Sequence, residues 1–402
     1  MKDNKKKWLR FRHRVVRNLA ELVMRPFCLI KYGIWVKRYP QQGKRKYLVL
    51  YNHQTAFDQF FVGMAFRGPL YYVASEDLFS KGWLSSMIRY LVAPIPIKKQ
   101  STDVRAVIDC MRVAKEGGSI AIAPEGNRTF SGRTGYMNPA IAPLARKLGL
   151  PIAFFRIEGG YGVHPRWSDV KRRGKMTGYV SRVLEPEEIA SLSDGELHAL
   201  IKEELFVDEG KSDAIFKSKK SAEYLERAFY VCPYHGLSEF ESRADTITCK
   251  RCGRAVRYLP TKELSGVGFD FPFKFATEWY DYQCDFIRKL DLSEFCESAM
   301  YVERARLSEI IPYKRRTVIE ENADVSLFGD RIVISGEAEM IFPFDKISAV
   351  AVLGRNKVNI YIDKKIFQIK GDKRMNGLKF VNVFYRYKAT ERGDENGIFL
   401  GI

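Results

Sequence analysis

His53 and Asp58, in the run Asn52-His53-Gln54-Thr55-Ala56-Phe57-Asp58, are the residues of this 402-residue chain best equipped for proton chemistry. An imidazole with a carboxylate placed to orient it can remove a proton from a hydroxyl near neutral pH. The chain has five histidines, and this is the one with a carboxylate so placed. A second polar run, Pro124-Glu125-Gly126-Asn127-Arg128-Thr129, offers a guanidinium fork suited to phosphate, a hydroxyl donor and a glycine that permits close backbone approach. A third, Cys232-Pro233-Tyr234-His235 followed by Cys249-Lys250-Arg251-Cys252-Gly253, has the two short-spaced pairs of a zinc ribbon. With Cys232, His235, Cys249 and Cys252 all supplied by the protein, the Zn2+ site expected there is closed and structural.

These residues need particular elements to position them. Five residues along a helix turn through about 140°, so two mid-helix residues at the His53–Asp58 spacing do not share a face. The pair meets if His53 lies on a loop and Asp58 reaches back from the first turn of a helix. The apolar run 47–50 reads as a strand, which puts the histidine at a strand's carboxyl end, where open α/β sheets hold their ligands. The run 119–123 places the Arg128 loop in the same way. Between 47 and 207, strand-like runs at 47–50, 70–74, 119–123, 152–157 and 178–183 alternate with helical patterns such as 104–115 and 138–147. That alternation predicts an α/β domain with a largely parallel sheet.

Together the two polar runs are more specific than either alone. Asn52-His53-x4-Asp58, followed about seventy residues later by Pro-Glu-Gly-x-Arg-Thr, resembles the glycerolipid acyltransferase family, of which lysophosphatidic acid acyltransferases are the best-known members. Two further blocks fit in order: Val92-Ala93-Pro94-Ile95-Pro96-Ile97-Lys98-Lys99, with Lys99 where the family usually has arginine, and Gly149-Leu150-Pro151-Ile152. Thr55 stands where serine is common. The resemblance covers about half the chain. It implies transfer of an acyl group from acyl-CoA or acyl-carrier protein to a lysophospholipid hydroxyl, foremost 1-acylglycerol-3-phosphate to give phosphatidic acid. It also implies roles. His53 is the general base, Asp58 its orienting partner, and Lys99 and Arg128, with Glu125, Gly126 and Thr129, bind the acceptor. No catalytic cofactor is implied, and neither Gly-x-Ser-x-Gly nor a P-loop occurs.

Composition frames the rest. A net charge of +19 calls for an anionic partner. Residues 1–46 are strongly basic, and Trp8, Phe11, Val15, Leu19, Leu22, Phe27, Ile30 and Ile34 recur at helical spacing. Pro26 predicts two helices meeting near Arg25, read as an interfacial pair on an anionic membrane surface. Glu21, Arg25 and Lys31 interrupt the apolar stretch, so neither a transmembrane helix nor a signal-peptide core is expected. Seven cysteines without a secretory leader suit a reducing compartment, and the chain is expected in the cytoplasm, peripheral on the inner face of the membrane.

The expected layout is amphipathic helices (1–46), catalytic domain (47–207), linker (208–228), zinc-ribbon-like module (229–260), helical connector (261–296) and a β-rich, pleckstrin-homology-like domain (297–402). Cys28, Cys110, Cys284 and Cys296 read as small apolar residues. His164 reads as a loop histidine, and Lys171, Arg172, Arg173 and Lys175 as a solvated face or a contact to anionic lipid. The competing class is a non-catalytic lipid- or nucleic-acid-binding adaptor using the ribbon and the basic N-terminus. Nucleic acid is the weaker partner reading, because the basic segment alternates with bulky aliphatics.

Overall fold

A computed structural model describes residues 7–79, 82–97, 103–211, 214–311, 316–363 and 365–393. The chain forms two compact units. The first comprises Met1–Arg128, Thr134–Val163 and Arg173–Glu209; the second comprises Thr129–Arg133, His164–Arg172 and Gly210–Ile402. Two short segments from within 47–207 thus group with the second unit.

The first unit is an α/β layer structure. Strands β1 (Ile34–Val36), β2 (Leu48–Tyr51), β3 (Leu70–Ser75), β4 (Ile95–Ile97), β5 (Ser119–Ile122), β6 (Ile152–Glu158) and β7 (Met176–Leu184) form one sheet in the order β1-β7-β6-β2-β5-β3-β4. All pairings are parallel except β6 with β7. Every residue of β2 and β5 is buried, as expected of central parallel strands covered on both faces. The helices are α1 (Phe11–Tyr32), α2 (Asp58–Ala65), α3 (Trp83–Val92), α4 (Val104–Lys115), α5 (Ile141–Leu148), the single turn α6 (Gly160–Val163), α7 (Pro186–Ser191) and α8 (Asp194–Leu205). Leu48, Leu50, Ile120, Phe154, Ala145, Val113 and Ile201 meet in one core cluster.

The N-terminal segment departs from the two-helix expectation. Helix α1 runs unbroken through Pro26, although proline removes one helical hydrogen bond. Anchors on both sides of the proline account for this. Arg17 Nη2 donates to Gly63 O at 3.0 Å and also to Phe66 O, and Arg25 Nη2 donates to Met64 O at 2.8 Å. These guanidinium groups satisfy carbonyls at the end of α2, where positive charge is favoured. Glu21 bridges Arg17, Arg25 and Arg38. After the proline, the Tyr32 ring packs on Phe57 and Phe61. With that face pinned by polar contacts, the apolar stripe points outward: Phe11, Leu19, Leu22 and Ile30 are 78, 60, 74 and 85 % exposed. No helix among the described residues is long and apolar enough to cross a membrane.

The second unit is mostly antiparallel β-structure. A hairpin of β8 (Val231–Cys232) and β9 (Gly236–Leu237) precedes a four-stranded sheet of β10 (Phe240–Arg243), β11 (Thr246–Cys249), β12 (Ala255–Tyr258) and β13 (Leu264–Gly266). Helix α9 (Ala276–Lys289) follows. Then β14 (Tyr301–Glu309), β15 (Thr317–Leu327), β16 (Arg331–Ser335), β17 (Glu339–Pro343), β18 (Ile347–Leu353), β19 (Lys357–Ile362) and β20 (Lys365–Gly371) form a seven-stranded sheet in the order β17-β16-β15-β14-β20-β19-β18. Helix α10 (Leu378–Glu391) closes the described chain.

In the basic cluster read as a solvated face or a lipid contact, Arg173 and Lys175 are exposed and Lys171 is half-buried, but Arg172 is interior. Arg172 is 3 % exposed; it donates to Ser221 O and lies over the Trp167 ring. Arg166, 1 % exposed, donates to Val352 O at 2.8 Å and Gly354 O at 3.1 Å. His164 Nε2 is 2.8 Å from Arg355 Nη2. Residues 164–168 and Arg172 are therefore buried within the second unit. Buried guanidinium groups are tolerated there because backbone carbonyls accept hydrogen bonds from Arg166 and Arg172, and the Trp167 carbonyl and Asp169 carboxylate accept from the buried Arg227.

Candidate active site

The loop between β2 and α2 carries His53, and Asp58 is the first residue of α2. His53 Nδ1 and Asp58 Oδ2 are 2.7 Å apart. The Asp58 carboxylate is fully buried and accepts four further hydrogen bonds. They come from Gln54 N (2.7 Å), Thr55 N (2.9 Å to Oδ1 and 3.0 Å to Oδ2) and Thr55 Oγ1 (2.7 Å). The loop is wrapped around the carboxylate, so its position is set by the backbone that also carries the histidine. Thr55 supplies the same hydroxyl donor that serine would.

Neighbouring side chains hold the loop onto the sheet. The Asn52 carboxamide, fully buried, forms a two-way bridge to Ile157, donating to its carbonyl at 2.8 Å and accepting from its amide at 2.7 Å. This extends the β2–β6 pairing one step beyond the backbone ladder. Gln54 Oε1 accepts from Tyr161 N at 3.1 Å. His53 itself is partly open, with its side chain 23 % exposed. A rigid, buried orienter beneath an accessible imidazole is the arrangement that general-base chemistry requires.

Glu125 joins the two polar runs. Its Oε1 accepts from His53 N at 2.7 Å and its Oε2 from Gly135 N at 2.8 Å. The residue is half-buried, and its carboxyl group is largely desolvated. That desolvation pushes its pKa up to about 7, against the pull of the two amides. Gly126 follows with φ +67°, a left-handed conformation that glycine adopts without strain. Arg128 is half-buried at the end of this stretch.

The remaining predicted residues fall elsewhere. Thr129 belongs to the second unit; it is buried, and its Oγ1 accepts from Gly132 N at 3.0 Å and sits 3.3 Å from Ser131 Oγ. Lys99 lies outside the described residues. In the second unit, the Sγ atoms of Cys232, Cys249 and Cys252 lie within 4.8 Å of one another. Tetrahedral thiolates on one Zn2+, at about 2.3 Å each, stand roughly 3.8 Å apart, so the cluster fits that ion. His235 is exposed and is not within that distance of all three thiols. Asn52 and Gln54 are the site's positioning residues that the sequence reading left unassigned. Their signal was present, since two amide side chains flanking a candidate base have hydrogen-bonding capacity that a buried loop must satisfy.

Comparison with known proteins places this geometry in context. Residues 34–157 match the family model described as acyltransferase. The chloroplastic 1-acyl-sn-glycerol-3-phosphate acyltransferase BAT2 of Brassica napus is 30 % identical over 92 residues, 22 % of this chain and 25 % of that protein. The chain thus spans about a quarter of the length of that relative. Among solved structures, the 1-acyl-sn-glycerophosphate acyltransferase PlsC of Thermotoga maritima is similar at TM-score 0.40 and 22 % identity, covering 48 % of this chain and 78 % of that one. The N-terminal PH domain of human ARAP2 is similar at TM-score 0.19 and 19 % identity, covering 22 % of this chain and 81 % of that one. Residues 34–157 of this chain are a domain of the acyltransferase family.

Proposed function

We propose that the first unit transfers a fatty acyl group from a thioester donor, acyl-CoA or acyl-carrier protein, to the free hydroxyl of a lysophospholipid, foremost 1-acylglycerol-3-phosphate. The observation that carries this reading is the 2.7 Å contact between His53 Nδ1 and the buried Asp58 carboxylate. With Nδ1 committed to Asp58, the proton-accepting atom is Nε2. As the acceptor oxygen bonds to the thioester carbonyl carbon, its proton passes to Nε2, and Asp58 stabilises the imidazolium that forms. Collapse of the tetrahedral adduct breaks the C–S bond, and the departing thiolate takes the proton back from Nε2. An alcohol attacking a thioester needs a base and charge stabilisation, and this sequence of steps uses no metal.

The supporting assignments follow from charge. Arg128 and Lys99 are the cations we assign to the acceptor phosphate, with Glu125 and Gly126 shaping the loop that presents them. The lipid acceptor and the acyl donor meet the enzyme at the inner face of the membrane, in the cytoplasm. The outward apolar residues of α1, flanked by Arg10, Arg12 and Arg14, support that placement. The C-terminal sheet and α10 have the element order of a pleckstrin-homology domain, and we assign them a lipid- or partner-docking role.

The test is an acceptor panel. Purified protein is incubated with acyl-CoA or acyl-carrier-protein thioester and vesicles containing lysophosphatidic acid, lysophosphatidylglycerol or lysophosphatidylcholine. Phosphatidic acid formed faster than the other products supports the reading. No acylated product from any donor and acceptor pair, with vesicle binding intact, favours the adaptor reading instead.

A further inference from the structure

The chain outside the acyltransferase domain contains two turns of the same design. In the first, Cys232 ends β8, Pro233-Tyr234-His235 turns, and Gly236 opens β9 with φ +69°. In the second, Cys249 ends β11, Lys250-Arg251-Cys252 turns, and Gly253 follows with φ +71°. Each places a cysteine at the end of a strand, a ligand-type residue three positions later, and a left-handed glycine next. The hydrogen bond from Arg251 Nη1 to His235 O, 3.0 Å, ties one turn to the other. Sγ atoms from both turns, Cys232 from the first and Cys249 and Cys252 from the second, converge within 4.8 Å.

The surroundings explain why a staple is needed here. Strands β8 and β9 have two residues each, and their pairing is confined to Val231 with Leu237 and Cys232 with Gly236. A hairpin that short is not stable by itself. It is gripped from one side by α9, where Gln283 Oε1 accepts from Tyr230 N at 2.8 Å and Trp279 Nε1 donates to Val231 O at 2.9 Å. The Trp279 ring also stacks on Phe229 at 4.0 Å. On the other side, three thiols face one another with no disulfide among them. Three soft donors at that separation match a tetrahedral d10 cation.

We propose that Cys232, Cys249 and Cys252 bind one Zn2+ and that His235 is its fourth ligand. His235 holds in the first turn the position that Cys252 holds in the second; its imidazole is exposed and outside the three-thiol cluster, so ligation requires a change of its side-chain rotamer. The site is a structural staple that joins the β8–β9 hairpin to the four-stranded sheet. It goes beyond the acyl-transfer reading and stands or falls independently of it, because its test reads metal and not turnover.

The full-length protein, purified under reducing conditions, is analysed for metal by mass spectrometry, then reloaded with Co2+ and examined by absorption spectroscopy. The result expected is about one zinc per chain, and a tetrahedral cobalt spectrum with thiolate charge-transfer bands. His235→Ala weakens zinc affinity by more than about tenfold while the thiolate bands persist, and His235→Cys restores affinity with a four-thiolate spectrum. These two variants keep all three cysteines, so they remain informative if Cys249→Ser fails to fold. Protein that carries no zinc and takes up no Co2+ overturns the site. Affinity and spectrum unchanged in His235→Ala overturn the fourth ligand.

Discussion

At the scale of single residues, the account turns on how one carboxylate is used. Asp58 receives hydrogen bonds from two backbone amides and one hydroxyl besides its contact to His53. Asp58→Asn would replace an acceptor with an amide whose donor end competes for Nδ1, leaving the imidazole in the wrong tautomer. The expected loss in kcat is about 10³–10⁴-fold with KM for the acyl donor little changed, measured by initial rates. Glu125 makes a second prediction. Its raised pKa means that its contribution to stability is present below its ordinary value of 4.5 and is lost as pH rises through about 7. Glu125→Gln should therefore flatten the fall in stability between those pH values, read as urea midpoints at pH 5 and pH 7.5. An unchanged slope in the variant would remove Glu125 as its source.

At the scale of elements, the outward face of α1 makes the sharpest prediction. Leu22→Glu with Ile30→Glu touches residues 74 and 85 % exposed, so folding should change by less than about 1 kcal/mol. Sedimentation with vesicles containing phosphatidylglycerol should fall by more than about tenfold, because the substitution puts carboxylates against an anionic, apolar boundary. Binding equal to that of the unaltered protein would contradict the proposed membrane face. The sequence made some elements easy to read and hid others. Strands β2, β5 and β6 are apolar runs bounded by turn residues, and β2 and β5 are buried throughout. Strands β1 and β4 have three residues each, too short for a period to show. Strands β14 and β15 give no clean apolar alternation, because an apolar residue such as Val302 is exposed and charged Glu303 and Arg304 separate it from buried Ala305. Pro26 predicts a break in α1 that the structure lacks, because the anchors before it (Arg17, Arg25) and after it (Tyr32) are tertiary contacts that no local pattern reveals.

At the scale of the molecule, a net charge of +19 looked like surface, and part of it is interior. Arg166, Arg172 and Arg227 are each 3 % exposed or less and serve as hydrogen-bond donors inside the second unit. Arg166→Ala removes the donor to the Val352 carbonyl near the end of β18 and the Gly354 carbonyl of the turn after it, and an arginine lying 4.2 Å over the Phe130 ring. It should lower stability by about 2–4 kcal/mol, seen as a lower Tm; a Tm shift of less than about 1 °C would contradict that role. The buried use of these arginines was hidden in the sequence, since a run such as Lys171-Arg172-Arg173 looks the same whether it faces solvent or carbonyl oxygens. The His53–Asp58 pair was legible because its chemistry is local, its two members lying five positions apart across one strand-to-helix turn.

The central claim is that His53 removes the acceptor's proton. It is tested most directly by comparing phosphatidic acid formation from acyl thioester and lysophosphatidic acid by the unaltered protein and by His53→Gln, with vesicle binding and Tm recorded for both. The account predicts a fall in kcat of at least about 10²–10⁴-fold with vesicle binding and fold preserved. Full turnover by His53→Gln would contradict it.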